Sequence, residues 1–407
     1  MENENRNTAL VPMGERALAP TAQKPVGYWA KMGGLYRAAT FVIVFLLALF
    51  LVTFSVLFAH AFTYDSIFYF GKDIAALTTL PDGGEATVYY DYKGENAVPV
   101  SYRGGVAVAH TSGVDIYAAN SERRLSVAFE TPYLAPRLAV SRNYLVAYDF
   151  GSTAFCVCNS YDQLYEGNTA APIYGVYLSD SGYFTVITGS DTALSEVLLY
   201  DSDFNLRQRF SRASATVAAP ISENGRTVTL VGATAIGTVV DVYVVGDEKP
   251  LSSAAFDGFP LAAGYTSGTK LSVLTDISAV ALSTEGKVLG TVSYEGAALA
   301  AYSIGEEGVA LALEVNRTLG GTRVLTLNKR GNVTADVALA GLARSATLSG
   351  DSAFLLFDGA LVAVNTDHPE EIQTLAVPRD ARAVVSVTDG GVRVLSLAQA
   401  LYFKVGR

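Results

Sequence analysis

The chain has 407 residues, of which 50% are hydrophobic and only 17% are charged, and its formal net charge is −10. An acidic chain with singly scattered Lys and Arg residues lacks the basic surface that nucleic acids require, so we expect no nucleic-acid partner. Two cysteines and three histidines are too few for a common structural metal site, and we expect no metal or other cofactor.

The first predicted element is a membrane-spanning helix over residues 38–62. This segment contains no Asp, Glu, Lys or Arg. It is longer than the ~20 residues that cross a hydrocarbon core. Lys24, Lys31 and Arg37 precede it, and Asp65 is the first acidic or basic residue after it. Because positive residues stay on the cytoplasmic side, we expect a cytoplasmic N-terminus and an extracytoplasmic C-terminal region.

A cleaved signal peptide is the alternative, since residues 59–61 (Ala-His-Ala) read as an A-x-A cleavage site. The apolar stretch is longer than a signal-peptide core of roughly 7–15 residues, so an uncleaved anchor is favoured. We therefore divide the chain into a cytoplasmic disordered tail with a basic, aromatic juxtamembrane segment (1–37), the membrane helix, a linker (63–84) and an extracytoplasmic β domain (85–407).

The β domain contains one pattern eight times. Each copy is an apolar or aromatic residue, a short turn of Ser, Asp, Asn or Gly, and an alternating apolar strand. The copies begin at Tyr102, Val140, Leu178, Ile221, Tyr265, Ile304, Leu348 and Val387. Their spacing of about forty residues is the period of a four-stranded propeller blade.

A second hairpin lies between successive copies, for example from Leu198, Val280, Val324 and Leu361. Each joins two apolar strands through a turn of Asp, Asn, Ser, Thr or Gly. Two hairpins per repeat give four strands. The sequence therefore predicts an all-β propeller of eight four-stranded blades, with seven blades and an irregular cap as the alternative.

The two ends of the repeat region are expected to complete one blade together. The last copy begins near Ala383 and supplies only three strands, whereas residues 86–92 form an extra strand before the first copy. Pairing these ends closes the ring and removes two exposed strand edges.

An N-terminal membrane helix followed by repeated turns such as Ser222-Glu223-Asn224-Gly225 resembles a family of single-pass membrane proteins from Gram-positive bacteria. The resemblance covers residues 28–407. It implies a WD40-like propeller outside the cell membrane and brings no established activity with it.

Acidic residues end the second strand of five repeats. These are Asp149, Asp191, Asp276, Glu314 and Asp358. Equivalent loops of a propeller emerge on one face, so the acids would form a broken ring that attracts a cation or a basic partner segment. Ordinary turn chemistry is the alternative interpretation and the favoured one.

No catalytic residues are recognised. His60 lies at the membrane boundary, His110 follows a strand and His368 lies in a turn. Of these, only His110 is placed to line a site, and a turn-capping role is favoured for it. Nucleophilic hydrolysis needs a base beside Ser or Cys, and the sequence gives no such set.

Two further motifs receive structural interpretations. A calcium loop beginning at Asp201 is disfavoured, because Leu206 and Arg212 replace the required Gly and Glu. Cys156 and Cys158 project from the same face of a strand. A disulfide between them would be strained, so we expect two buried free thiols.

We therefore expect a non-enzymatic, membrane-tethered binding or scaffold module of the cell envelope, whose partner is another envelope protein or a wall glycan. The alternative is an extracytoplasmic enzyme that processes a glycan or peptide with paired carboxylates. Two acids about 5–10 Å apart in a pocket, one with a raised pKa, would favour the enzyme. A sensor that signals through the helix is disfavoured by the short tail.

Overall fold

The computed structural model describes residues 26–57, 87–91, 94, 96–316, 320–387 and 391–404. The chain divides into two units, 1–75 and 76–407, which are described separately. The predicted linker and the Ala-His-Ala segment lie outside the described residues.

The described residues of the first unit form a helix, α1 (Val26–Leu57). Its window Tyr36–Thr53 has a mean hydropathy of 2.2 and is exposed. The helix begins before the predicted membrane segment (38–62), because no proline interrupts the backbone hydrogen bonds between Val26 and Leu57. The predicted last residues, 58–62, lie outside the described part of the chain.

The first described strand of the second unit is β1 (Val88–Tyr89), and four-stranded antiparallel sheets, or blades, follow. Blade 1 contains β2 (Val98–Tyr102), β3 (Gly105–His110), β4 (Gly113–Tyr117) and β5 (Arg123–Ala128). Blade 2 contains β6 (Pro136–Val140), β7 (Leu145–Asp149), β8 (Ala154–Cys158) and β9 (Gln163–Asn168). Blade 3 contains β10 (Ile173–Leu178), β11 (Phe184–Thr188), β12 (Ser195–Tyr200) and β13 (Leu206–Arg212). Blade 4 contains β14 (Ala215–Ala218), β15 (Thr227–Thr234), β16 (Gly237–Val244) and β17 (Ser252–Phe256).

The remaining blades repeat this plan. Blade 5 contains β18 (Pro260–Ser267), β19 (Lys270–Thr275), β20 (Ser278–Ser283) and β21 (Val288–Ser293). Blade 6 contains β22 (Ala298–Gly305), β23 (Gly308–Asn316), β24 (Gly321–Leu327) and β25 (Val333–Ala340). Blade 7 contains β26 (Ser345–Ser349), β27 (Ser352–Phe357), β28 (Ala360–Asn365) and β29 (Ile372–Ala376). Blade 8 contains β30 (Ala383–Ser386), β31 (Val392–Leu395), β32 (Gln399–Phe403) and, as its fourth strand, β1.

The four strands of each blade are called A to D in sheet order. Strands A of neighbouring blades contact one another, as β18 contacts β22 and β22 contacts β26, so strand A faces the central channel. The strands in the middle of each blade are packed on both sides. In β3 and β11 every residue is buried, whereas the outer strand β9 is half exposed. This packing explains why the chain is so apolar.

The hydrophobic core lies between the blades. Eight clusters of buried side chains occur among the described residues, and each draws on two successive blades. The eighth joins blade 8 to blade 1 and includes Val88, Val106, Val108 and Leu395. The blades therefore form a continuous closed ring.

Both ends of the repeat region complete blade 8. β1 pairs antiparallel with β32, and Val88 lies opposite Ala400. The Tyr90 hydroxyl donates a hydrogen bond to the backbone carbonyl of Ser396. The predicted closure and the prediction of eight blades are confirmed, so the seven-blade alternative does not apply.

The repeated sequence pattern forms the turn between strands A and B. In blade 4, Ser222 N–H donates to Thr227 O (2.8 Å), and Gly225 N–H donates to Ser222 O (2.8 Å). Gly225 has a φ of 68°, in the left-handed region that favours glycine. The second predicted hairpin joins strands C and D, as β12 joins β13.

Candidate functional site

The turns of the ring lie at two ends. Because successive antiparallel strands run in opposite directions, the A–B and C–D turns share one end, called the A–B end. The B–C turns and the connections from strand D to the next blade share the other end, called the B–C end. The five acids predicted as a partner-binding face all lie at the B–C end, on five different blades.

Two of these acids hold the connection from the preceding blade. Asp149 is buried, and its Oδ1 accepts the backbone N–H of Ala135 at 2.7 Å. Asp276 is exposed, and its Oδ1 accepts the backbone N–H of Phe259 at 2.7 Å. In both blades the carboxylate replaces a backbone acceptor at the start of strand A, which is turn chemistry.

The other three acids are dispersed around the same end. Asp358 forms an ion pair with Arg344 at 3.3 Å. Glu314 is half-buried within strand B of blade 6, and Asp191 is exposed in the turn that follows β11. No cluster of potential metal ligands occurs among the residues described. Attraction of a basic partner by these acids stays a prediction.

The B–C end also exposes large apolar side chains, which the sequence analysis missed. Two of them, Ile236 and Leu134, are 92% and 81% exposed. The set, called the apolar rim, consists of Leu134, Phe150, Tyr174, Leu194, Ile236, Phe259, Leu261, Ile277, Val315 and Leu342. Most other exposed apolar side chains of the ring lie on outer strands D. A surface of this kind commonly marks an interaction site.

The apolar rim runs through blades 2 to 6 and the connection to blade 7. The rings of Phe150 and Tyr174, from blades 2 and 3, pack edge to face with centroids 6.1 Å apart. In blade 5, Asp276 lies next to two rim residues. Its carboxylate accepts the backbone N–H of Phe259, and Ile277 follows it in the B–C turn. The sequence did contain a signal for the apolar rim. Large apolar residues occur inside turns, whose backbone requires only Gly, Asp or Asn.

The A–B end contains a polar cavity of about 410 Å³. It is lined by Arg142, Asn143, Asp180, Ser181, Glu223, Asn224 and Gly268. The guanidinium of Arg142, from blade 2, pairs with Glu306 of blade 6 at 3.2 Å, four blades away across the ring. It also lies 3.6 Å from Asp180. Arg142 therefore spans the channel mouth and balances acids from several blades.

One carboxyl group at the A–B end has a perturbed pKa. Burial raises the pKa of Glu307, and the neighbouring charges of Asp351 and Glu306 raise it further. A carboxyl group with a raised pKa is one of the two groups that glycoside hydrolysis requires. Glu307 is exposed and does not line the polar cavity, so this raised pKa does not occur in the pocket that the enzyme alternative requires.

His110 forms part of a buried polar cluster in blade 1. Its Nδ1 accepts the backbone N–H of Ser112 at 3.3 Å, and its Nε2 lies 3.5 Å from Asp115 Oδ2. Asp115 in turn accepts a hydrogen bond from the Ser126 hydroxyl at 2.6 Å. The contact within the B–C turn agrees with a turn-capping role. His368 is exposed beside Glu370, and His60 lies outside the described residues.

The two remaining motifs are structural. Asp201 Oδ1 accepts the backbone N–H groups of Asp203 and Asn205, at 3.0 and 2.8 Å, so this carboxylate closes a C–D turn. Cys156 and Cys158 are free and buried, with Sγ atoms 3.4 Å apart. The hydrogen bond between the two thiols, together with burial, raises the pKa of Cys158, so this thiol is not an activated nucleophile.

Residues 85–246 match DUF5711, a family of unknown function. The match covers blades 1 to 3 and most of blade 4. A search of curated proteins gave no match.

The fold is similar to that of several solved propellers. BamB from Moraxella catarrhalis has 12% identity and a TM-score of 0.55, over 78% of this chain and 98% of BamB. The C-terminal WD40 domain of Sif2 has 12% identity and a TM-score of 0.56, over 79% of this chain and all of that domain. Chaetomium thermophilum Sqt1, bound to the N-terminus of ribosomal protein L10, has 12% identity and a TM-score of 0.55, over 79% of this chain and all of the Sqt1 chain. At this identity the likeness shows a WD40-like fold alone.

Proposed function

We propose that this chain is a membrane-anchored, extracytoplasmic binding or scaffold module of the cell envelope, without enzymatic activity, and that its partner is a protein. The apolar rim is the observation that carries the proposal. Ten large apolar side chains are exposed in turns and at strand starts or strand ends at one end of a closed ring. Burying such side chains against a partner stabilises the complex by about 25 cal/mol per Å² of apolar surface before the costs of association.

A protein is a better partner for this surface than a wall glycan. Sugars offer mainly hydroxyl groups, whereas the rim consists mostly of aliphatic side chains that cannot hydrogen-bond to them. A propeller of similar fold, Sqt1, is bound to the N-terminus of a ribosomal protein in its solved structure, which supports a protein as the kind of partner. The envelope assignment relies on α1 and its flanking charges.

Replacing two strongly exposed rim residues of neighbouring blades should release the partner. We expect the double variant Ile236→Ser and Leu194→Ser to lower recovery of copurified protein about tenfold, because central apolar contacts dominate binding energy. Crosslinking of the tagged full-length chain in native membranes, affinity purification and quantitative mass spectrometry measure the effect.

The matched control is Leu164→Ser with Val333→Ser, which makes the same kind of change on outer strands D. Circular dichroism should give the same melting temperature for both double variants and the unsubstituted chain. If both double variants recovered the same amount of copurified protein, the apolar rim would not be the surface that binds the partner.

The anchor and its orientation can be tested by thiol labelling in intact cells. Because Cys156 and Cys158 are buried, the unsubstituted chain should react little with a membrane-impermeant maleimide. We expect Thr192→Cys, exposed at the B–C end, to be labelled in intact cells. Thr8→Cys, in the N-terminal tail, should be labelled only after permeabilisation. Labelling of position 8 in intact cells, or a mature protein that begins after residue 61, would contradict the proposed topology.

A further inference from the structure

Acidic side chains accompany the apolar rim in blades 3 to 5. Asp191 lies three residues before Leu194, and Asp257 lies two residues before Phe259. Asp276 directly precedes Ile277. All three carboxylates are exposed, and no basic side chain of the described residues lies within ion-pair distance of them. Their charges therefore act on whatever covers the neighbouring apolar side chains.

Among the described residues, the basic side chains of the B–C end lie outside blades 3 to 5 or contact other residues. Arg344 pairs with Asp358 in blade 7, and Arg379 and Arg382 precede blade 8. Further arginines of the described residues lie in the sector of the rim, and each contacts another residue. Arg209 pairs with Glu196. Arg137 contacts the carbonyl of Pro136, Arg212 pairs with Asp241, and Arg323 pairs with Asp336 and Glu295. The exposed rim of blades 3 to 5 is thus apolar and negatively charged.

We infer that this part of the rim docks a segment of the partner protein that combines apolar side chains with Lys or Arg. The inference rests on the proposed function and names the chemistry of the partner. Apolar contacts supply most of the affinity, and the carboxylates select a basic segment and speed its association. The same charges repel anionic lipid headgroups and anionic wall polymers, which disfavours those ligands.

Site-specific photocrosslinking in the full-length chain tests this inference. A photoreactive amino acid is placed at Ile277, at the B–C end, and separately at Asn224, at the A–B end, and the crosslinked peptides from native membranes are sequenced by mass spectrometry. We expect the probe at Ile277 to capture a peptide of another protein with apolar residues and a net positive charge.

Charge reversal distinguishes electrostatic selection of the partner from non-specific apolar binding. The double variant Asp191→Lys and Asp257→Lys should lower that crosslink about tenfold. Asp247→Lys with Glu248→Lys, the same change in charge at the opposite end of blade 4, should leave it unaltered. An unaltered crosslink in the first variant would overturn the inference.

The captured species decides between the remaining outcomes. An acidic or uncharged peptide, a peptide of this chain itself, or a lipid adduct at Ile277 would overturn the inference. Capture of a protein only from Asn224 would overturn it while leaving the proposed binding function intact. Absence of any protein at both positions would contradict the proposed function as well.

Discussion

Deletion of residues 398–407 is expected to abolish cooperative folding of the ring. The deletion removes β32, which pairs with β31 on one side and with β1 on the other. It also removes Ala400, which is fully buried between blades 8 and 1. β1 then loses its only sheet neighbour, and the last blade retains two strands.

The expected loss is large because the closure is shared by the whole ring. Opening it exposes the eighth core cluster, in which a buried Val or Leu side chain, such as Val106 or Leu395, contributes roughly 1.5–3 kcal/mol. A domain has only about 5–15 kcal/mol of stability in total. The new strand edges are also templates for aggregation.

Thermal unfolding of the full-length chain and the deletion variant, followed by circular dichroism in lipid nanodiscs, measures this effect. Size-exclusion chromatography detects aggregation. Removing only residues 405–407, which lie beyond β32, is the control and should leave the melting temperature unchanged. A deletion variant that melts cooperatively at the original temperature would show that the closure is dispensable.

The second large effect is expected at Arg393, a buried cation on strand B of blade 8. Its side chain is 3% exposed. The guanidinium donates hydrogen bonds to the backbone carbonyls of Gly105 (2.7 Å) and Gly104 (2.9 Å), in the A–B turn of blade 1. It also lies 3.3 Å from the Ser101 hydroxyl. Arg393 thus joins the last blade to the first by side-chain contacts, beside the pairing of β1 with β32.

Arg393→Ala should lower the free energy of unfolding by about 3 kcal/mol, because it leaves buried carbonyl groups without their charged donor and creates a cavity. Arg393→Lys should recover only part of this loss, since an ammonium group cannot reproduce the fork of guanidinium donors. Urea unfolding of the full-length chain measures both.

Arg226→Ala provides the control, because Arg226 is exposed in the A–B turn of blade 4. Its effect should stay within about 0.5 kcal/mol, as for most surface substitutions. If Arg393→Ala behaved like Arg226→Ala, the guanidinium bridge would have no part in closing the ring.

These two predictions differ in how far they could be foreseen. The closure by β1 followed from counting strands, since the last repeat supplied three and residues 86–92 supplied one. Nothing in the sequence marked Arg393, because its acceptors are backbone carbonyls some 290 residues earlier in the chain. Backbone acceptors have no residue type, and sequence patterns cannot reveal them.

The candidate site likewise contains features that the sequence predicted and features that it did not. The five acids lie at or near the end of strand B, yet Asp149 and Asp276 accept backbone N–H groups next to the start of strand A of the same blade. The apolar rim was missed because exposure of a turn residue depends on what the neighbouring blade covers. The ion pair of Arg142 with Glu306 joins residues four blades apart. They lie 3.2 Å from each other because the closed ring places their two blades on opposite sides of the narrow channel mouth.

The sequence by itself determined the period of the chain, the four strands in each repeat, the turns between them and the apolar helix before them. Those features depend on alternation and on turn residues such as Gly225, which act within a few positions of one another. The tertiary structure decided which side chains meet and which remain exposed. The apolar rim, the Arg142 bridge and the Arg393 clamp each depend on the curvature of a closed ring, since only closure brings distant turns to a common end.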